Sequence, residues 1–195
     1  MPALIDTLRR DHASMECLLQ VLEQEIAVFD RAGRPDFDLL AGIFDYFRSF
    51  PAQCHRPKED LLFAQLKARD PERAAAARDI EAEHGQAAGH LESIARLVDV
   101  VVNEGEIERT VLDADVRAFI GHLRRHIDLE ERVMLATAVA SLAAEDWADL
   151  DTRLADSGSP VYDREAEARF DRLRQRITRW EREDQADRAW LSQGW

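Results

Sequence analysis

A histidine and a glutamate four residues apart, His126 and Glu130 in the stretch HLRRHIDLE, fall in a mostly apolar helical stripe of Val116, Phe119, Leu123, Val133, Thr137 and Ala140. On an α-helix, residues at this spacing lie one above the other on a single face. A carboxylate in a core stripe is expensive to bury unless hydrogen bonding, charge pairing or a metal ion compensates it. The same arrangement occurs again at His55 and Glu59, in CHRPKEDLLF. Any fold of this chain has to accommodate two such pairs in its interior.

The surrounding periodicity predicts four long helices. The first runs from about Pro2 to Phe29, with Leu4, Leu8, His12, Met15, Leu19, Leu22, Ile26 and Phe29 stepping by threes and fours. After the breakers Gly33 and Pro35, a second runs from about Asp36 to Ala68 along Leu40, Phe44, Phe47, Pro51, His55, Glu59, Leu62 and Leu66. Pro51 and Pro57 should bend it close to His55, shaping a site there. A third starts with Asp70 as N-cap and Pro71 at the first helical position, with the stripe Ala77, Ile80, His84, Ala87, Leu91, Ile94, Val98 and Val101. Past Gly105, a fourth is capped by Thr110 or Asp113 and extends to about Leu142. Four such helices with short connections make an all-α, up-down-up-down four-helix bundle over residues 1–142.

Residues 143–195 differ in character. EDWADLDTRLAD reads as a short capped helix, and Tyr162 to about Glu183 as an amphipathic one with Phe170, Leu173, Ile177 and Trp180 on one side. These additional C-terminal helices are expected to pack over the bundle, a homodimer contact being the alternative; loose order is expected from Asp184 onward. With 39 acidic against 26 basic residues, the net charge of −13 argues against nucleic acid or an anionic membrane as partner. No leader pattern and no apolar run near the ~18 residues of a membrane span is evident, so a soluble, cytoplasmic protein is expected. Cys17 and Cys54 are too few for a disulfide framework and are expected to be small buried residues, with a redox thiol at Cys54 as the alternative.

The polar interruptions of the four stripes are His12, His55, Glu59, His84, His126 and Glu130. Counted inward from one end of the bundle they lie about 8 to 16 residues deep, a spread of ~12 Å at ~1.5 Å per residue. They can share one layer. Four imidazoles and two carboxylates there suit two divalent ions with the carboxylates bridging. A mixed donor set larger than four favours octahedral iron or manganese over tetrahedral zinc.

A histidine on the first helix, HxxxE on the second, a histidine on the third and HxxxE on the fourth resemble the hemerythrin-like HHE cation-binding family, in its bacterial single-domain form. The phrases FPAQCHRPKEDLLF, IEAEHGQ and HLRRHIDLEERVML carry the resemblance, which covers about residues 2–142. It implies two non-haem iron ions (Fe2+/Fe3+), oxo- or hydroxo-bridged. Glu59 and Glu130 would bridge them, and His12, His55, His84 and His126 would be terminal ligands. Oxygen-carrying hemerythrins use a fifth histidine one turn after the third-helix ligand, where this chain has Ala88; many bacterial relatives have a second histidine where it has Arg56. His122 is a further candidate ligand, and His90 is expected at the surface. Glu16, Glu83 and Glu131 are expected to be solvated, with imidazole N–H acceptance as the alternative. The implied function is binding of, or reaction with, O2, NO or peroxide in sensing or stress protection. The alternatives are an iron donor for iron-sulfur cluster repair and a metal-stabilised scaffold whose C-terminal helices bind a partner protein. Whether the chain is an enzyme is left open.

Overall fold

The computed structural model describes residues 2–28, 31, 33–75, 79–102, 108–155 and 164–192, with the backbone alone for 79–87, 101–102, 164 and 180–192. Among them the chain is α-helical without strands. Helix α1 is Ala3–Ile26, and every predicted stripe position from Leu4 to Ile26 is buried. Helix α2 is Phe37–Phe50, begun by Asp36, whose Oδ1 accepts from the N–H groups of Asp38 and Leu39 at 3.0 Å each.

The expected bend takes the form of a π-turn, Pro51–His55, after which α3 runs Arg56–Arg69. Pro57 has no N–H to offer the carbonyl of Gln53, and Arg56 N–H reaches back to Pro51 O, one residue further than in an α-helix. Of the predicted helix from Pro71, the described residues form a short α4, Pro71–Ala74, and α5, Asp79–Val102. Asp70 caps α4 through Arg73 N–H at 3.1 Å. Helix α6 is Arg109–Leu129. It begins earlier than expected and without a side-chain cap: the Glu108 carbonyl takes the first N–H groups, and Asp113 instead accepts from Arg117 at 2.8 Å.

A second π-turn, Glu130–Leu135, joins α6 to α7, Ala136–Ser141. It corrects the sequence expectation for this stretch. An uninterrupted α-helix would bury Val133, Thr137 and Ala140, but the extra residue of the wide turn shifts the phase. Met134, Leu135 and Ala138 are buried in their stead, and Ala140 is exposed.

Helices α1, α2–α3, α5 and α6–α7 pack as a ring of neighbours, α1 on α2 and α6, and α5 on α2 and α6. Helix α8, Ala144–Ala155, lies against α1 and α3, with Asp146 accepting from Gln65 at 2.9 Å. Helix α9, Arg164–Ser192, lies along α1, α2 and the first π-turn, and continues past the expected end at about Glu183. Because α9 covers α2, a second row there is buried: Tyr46 and Phe50 meet Phe170 at ring-centroid distances of 5.8 and 5.4 Å. Cys54 is buried and Cys17 partly so, both as free thiols.

Among the described residues the apolar interior falls into two parts. One contains Met15, Leu19, Phe44, Phe47, Cys54, Ile94, Phe119 and Leu123; the other contains Leu4, Leu8, Leu61, Leu62, Met134, Leu135 and Leu150. Between them on α1 lies His12, on α2–α3 His55 and Glu59, and on α6 and its π-turn His126 and Glu130. Phe119 packs edge-on to Phe44 and Phe47 at 6.3 and 5.4 Å in the larger part. Phe119→Ala should therefore lower the unfolding free energy in urea by about 3–5 kcal/mol while far-UV dichroism stays helical.

Candidate metal centre

The polar layer is built by the two π-turns and by α1. His55 ends the first π-turn and Glu130 begins the second; both side chains are buried, Glu130 completely, at 0% exposure. Wide turns of this kind are frequent at functional sites, where they re-aim side chains that a regular helix would stack. Here they turn His55 and Glu130 toward His12.

The Nε2 atoms of His12 and His55 lie 3.1 Å apart. Glu130 Oε2 is 3.0 Å from His12 Nε2 and 3.9 Å from His55 Nε2. Its other oxygen, Oε1, is 2.7 Å from His126 Nε2. Glu59 Oε1 is 3.2 Å from His55 Nε2. Donor atoms of His12, His55, Glu59 and Glu130 thus gather within 4.8 Å of one another, and Glu130 presents its two oxygens to different imidazoles.

Each of the two central imidazoles is held from behind. His12 Nδ1 is 2.8 Å from Glu131 Oε1, and Glu131 Oε2 accepts from Arg9 Nε at 3.0 Å. His55 Nδ1 is 3.2 Å from Asp11 Oδ2. With Nδ1 donating to a carboxylate, each ring presents Nε2 to the cluster, where its lone pair would be available to a cation. That is the carboxylate–histidine arrangement that fixes tautomer and orientation at metal sites. Imidazole lone pairs and carboxylate oxygens converging in a buried layer fit a divalent cation.

Of the sequence-predicted set, the structure brings together His12, His55, Glu59, His126 and Glu130. The side chain of His84, on α5, lies outside the described residues. His122 is buried, and its ring meets the exposed His90 edge-on at 5.8 Å. The expectation of a solvated Glu131 is corrected, since it is half-buried and binds His12. Glu16 pairs with Arg124 at 3.0 Å, and Glu83 lies outside the described residues.

Sequence reasoning missed Asp11 and Lys58. Each had a signal: Asp11 follows Leu4 and Leu8 and precedes Met15 at steps of three and four, and Lys58 stands between Cys54 and Leu61 in the same way. Lys58 is fully buried on α3, its Nζ 3.0 Å from Asp11 Oδ2. Burial would raise the Asp11 pKa, but the hydrogen bond to His55 and the Lys58 charge outweigh it and hold the carboxyl below its usual range.

A buried layer of imidazoles and carboxylates inside a four-helix bundle defines a metal-binding bundle protein. The chain belongs to the hemerythrin family: residues 3–138 match the model described as Hemerythrin HHE cation binding domain. No curated protein and no solved structure matches the chain significantly. No described helix is long and apolar enough to cross a membrane.

Burial disfavours a charged His55, but the Glu59 carboxylate and hydrogen bonds to Asp11, Glu130 and Glu59 outweigh it. The pKa is raised well above the usual 6.5. In the metal-free protein a proton on His55 therefore serves the carboxylates that a cation would neutralise, and metal uptake should release protons and tighten as pH rises. The stabilisation from His55 is fully present below pH 6.5 and is lost as pH rises through the higher folded-state value. Thermal unfolding of the metal-free protein should show the gap between wild type and His55→Gln narrowing toward alkaline pH.

Proposed function

We propose that this chain is a non-haem di-iron protein that binds or reacts with O2, NO or peroxide, in sensing or in protection from oxidative and nitrosative stress in the cytoplasm. The observation that carries this reading is the division of Glu130, one oxygen toward His12 and His55 and the other toward His126. A carboxylate placed between two sets of imidazoles suits two ions better than one. His12, His55, His84 and His126 would be the terminal ligands, with Glu59 and Glu130 as bridges and His122 as a further candidate. Two bound irons would supply redox chemistry and open positions for a small ligand.

The remaining work falls to the polypeptide. Asp11 and Glu131 orient His55 and His12 by accepting from Nδ1. The apolar parts above and below the layer exclude bulk water and strengthen every charge interaction within it. Beside the first π-turn lies a cavity of about 150 Å³, lined by Phe47, Pro51, Leu91, Phe119 and Leu123 with Arg48, Arg56 and Glu92 among the rest. Its size and mostly apolar lining suit a diatomic ligand, and Pro51 and Leu123 stand about one turn before His55 and His126.

Metal analysis after anaerobic iron loading, followed by optical spectra on exposure to air, NO or peroxide, tests the reading. The expected result is about two irons per chain and a stable adduct or turnover with at least one of the ligands. Zinc alone, or no metal, would overturn it. Glu130→Ala should lose most of the iron, whereas His90→Ala should retain it; equal behaviour of the two would sink the residue assignment.

A further inference from the structure

Lys58 is 0% exposed, and its partners come from two helices outside its own: Asp11 of α1, at 3.0 Å, and the Glu167 carboxylate of α9. A buried ammonium is tolerated only when it is paired in this way. Asp11 Oδ2, the oxygen that faces Lys58, also faces His55 Nδ1 at 3.2 Å. The contacts therefore run in a line from Glu167 on α9, through Lys58 and Asp11, to His55 in the candidate metal centre.

We propose that Glu167 is a positioning residue for the metal centre, and that through Lys58 and Asp11 the seating of α9 and the binding of metal at His55 favour one another. This rests on the metal-binding reading above. In one direction, Glu167 shares the Lys58 charge with Asp11. Without Glu167, Lys58 has only Asp11 of the two to compensate it and draws that carboxylate off His55 Nδ1, so the ring loses the acceptor that fixes its tautomer. Loss of such an outer partner weakens a metal site even though no ligand is touched. In the other direction, a cation on Nε2 fixes the ring in place with its Nδ1–H on Asp11, which holds Asp11, Lys58 and Glu167 in line and clamps the first turns of α9. Thermodynamic reciprocity makes the two effects equal in size.

The ionic line is separable from the apolar seat of α9. Phe170 packs on Phe50 and Tyr46, and Ile177 lies beside Gly42 further along α2. Ile177→Ala thus loosens α9 without touching the line, while Glu167→Gln cuts the line and leaves the apolar seat intact.

The test is an anaerobic Fe(II) titration of full-length wild type, Glu167→Gln, Glu167→Asp and Ile177→Ala, with backbone hydrogen exchange over residues 164–170 in the metal-free and iron-loaded forms. Glu167→Gln should bind iron about fivefold or more weakly, and Glu167→Asp should recover part of the loss. Ile177→Ala should stay within about twofold of wild type. Iron should slow exchange at the start of α9 in wild type and not in Glu167→Gln. Wild-type affinity and iron-dependent protection in Glu167→Gln would overturn the linkage, as would equal weakening by Ile177→Ala, since general loosening of α9 would then suffice. A wild-type chain that takes up no iron overturns the metal reading and the linkage with it.

Discussion

The structure depends on a carboxylate that water does not reach. Glu130 is wholly enclosed, and an ionised group there is tolerable only because imidazoles from three helical segments face it. Much else in the bundle follows from that demand. His12 must come in from α1 and His55 from the end of a π-turn, and Glu131 and Asp11 must hold their rings. Asp11 in turn is matched by Lys58, and Lys58 by a glutamate on α9. Each polar group is buried because the previous one needed a partner, so the network reaches from the centre of the bundle to the C-terminal helix.

The two π-turns are the local devices that make the convergence geometrically available. One has an evident cause in Pro57, which cannot donate to Gln53. The other, Glu130–Leu135, contains no proline, and the sequence offers no local reason for it. It is held where the buried carboxylate and the apolar residues that follow both find their places, which is a tertiary cause and not a propensity.

This difference explains what could be read in the sequence. The helices, their burial stripes as far as the layer, and His12, His55, Glu59, His126 and Glu130 as polar residues in core positions were all legible, because period and spacing are local properties. Even the first π-turn left a trace: Phe47, Pro51, His55 and Glu59 step by four three times running, one residue longer than an α-helix would keep in phase. The second left none that outweighed the regular pattern, and the expected core positions after Glu130 came out one residue early. Lys58 and Asp11 were passed over for another reason. Charged residues on a helix are normally solvated, and only the third helix packed against them, α9, makes their burial visible. Glu131 was misjudged on the same ground.

The division of the apolar interior by the polar layer bears on how the chain comes apart. Each part is an apolar cluster of its own, and the seam between them carries the buried carboxylates Glu59 and Glu130. Because that seam is polar, without a cation the two clusters can behave as separate foldons with different opening free energies. A cation that neutralises both carboxylates draws ligands from either side of the seam and makes the clusters one cooperative unit. The metal would then act as a fastener between two folding units as much as a chemical group.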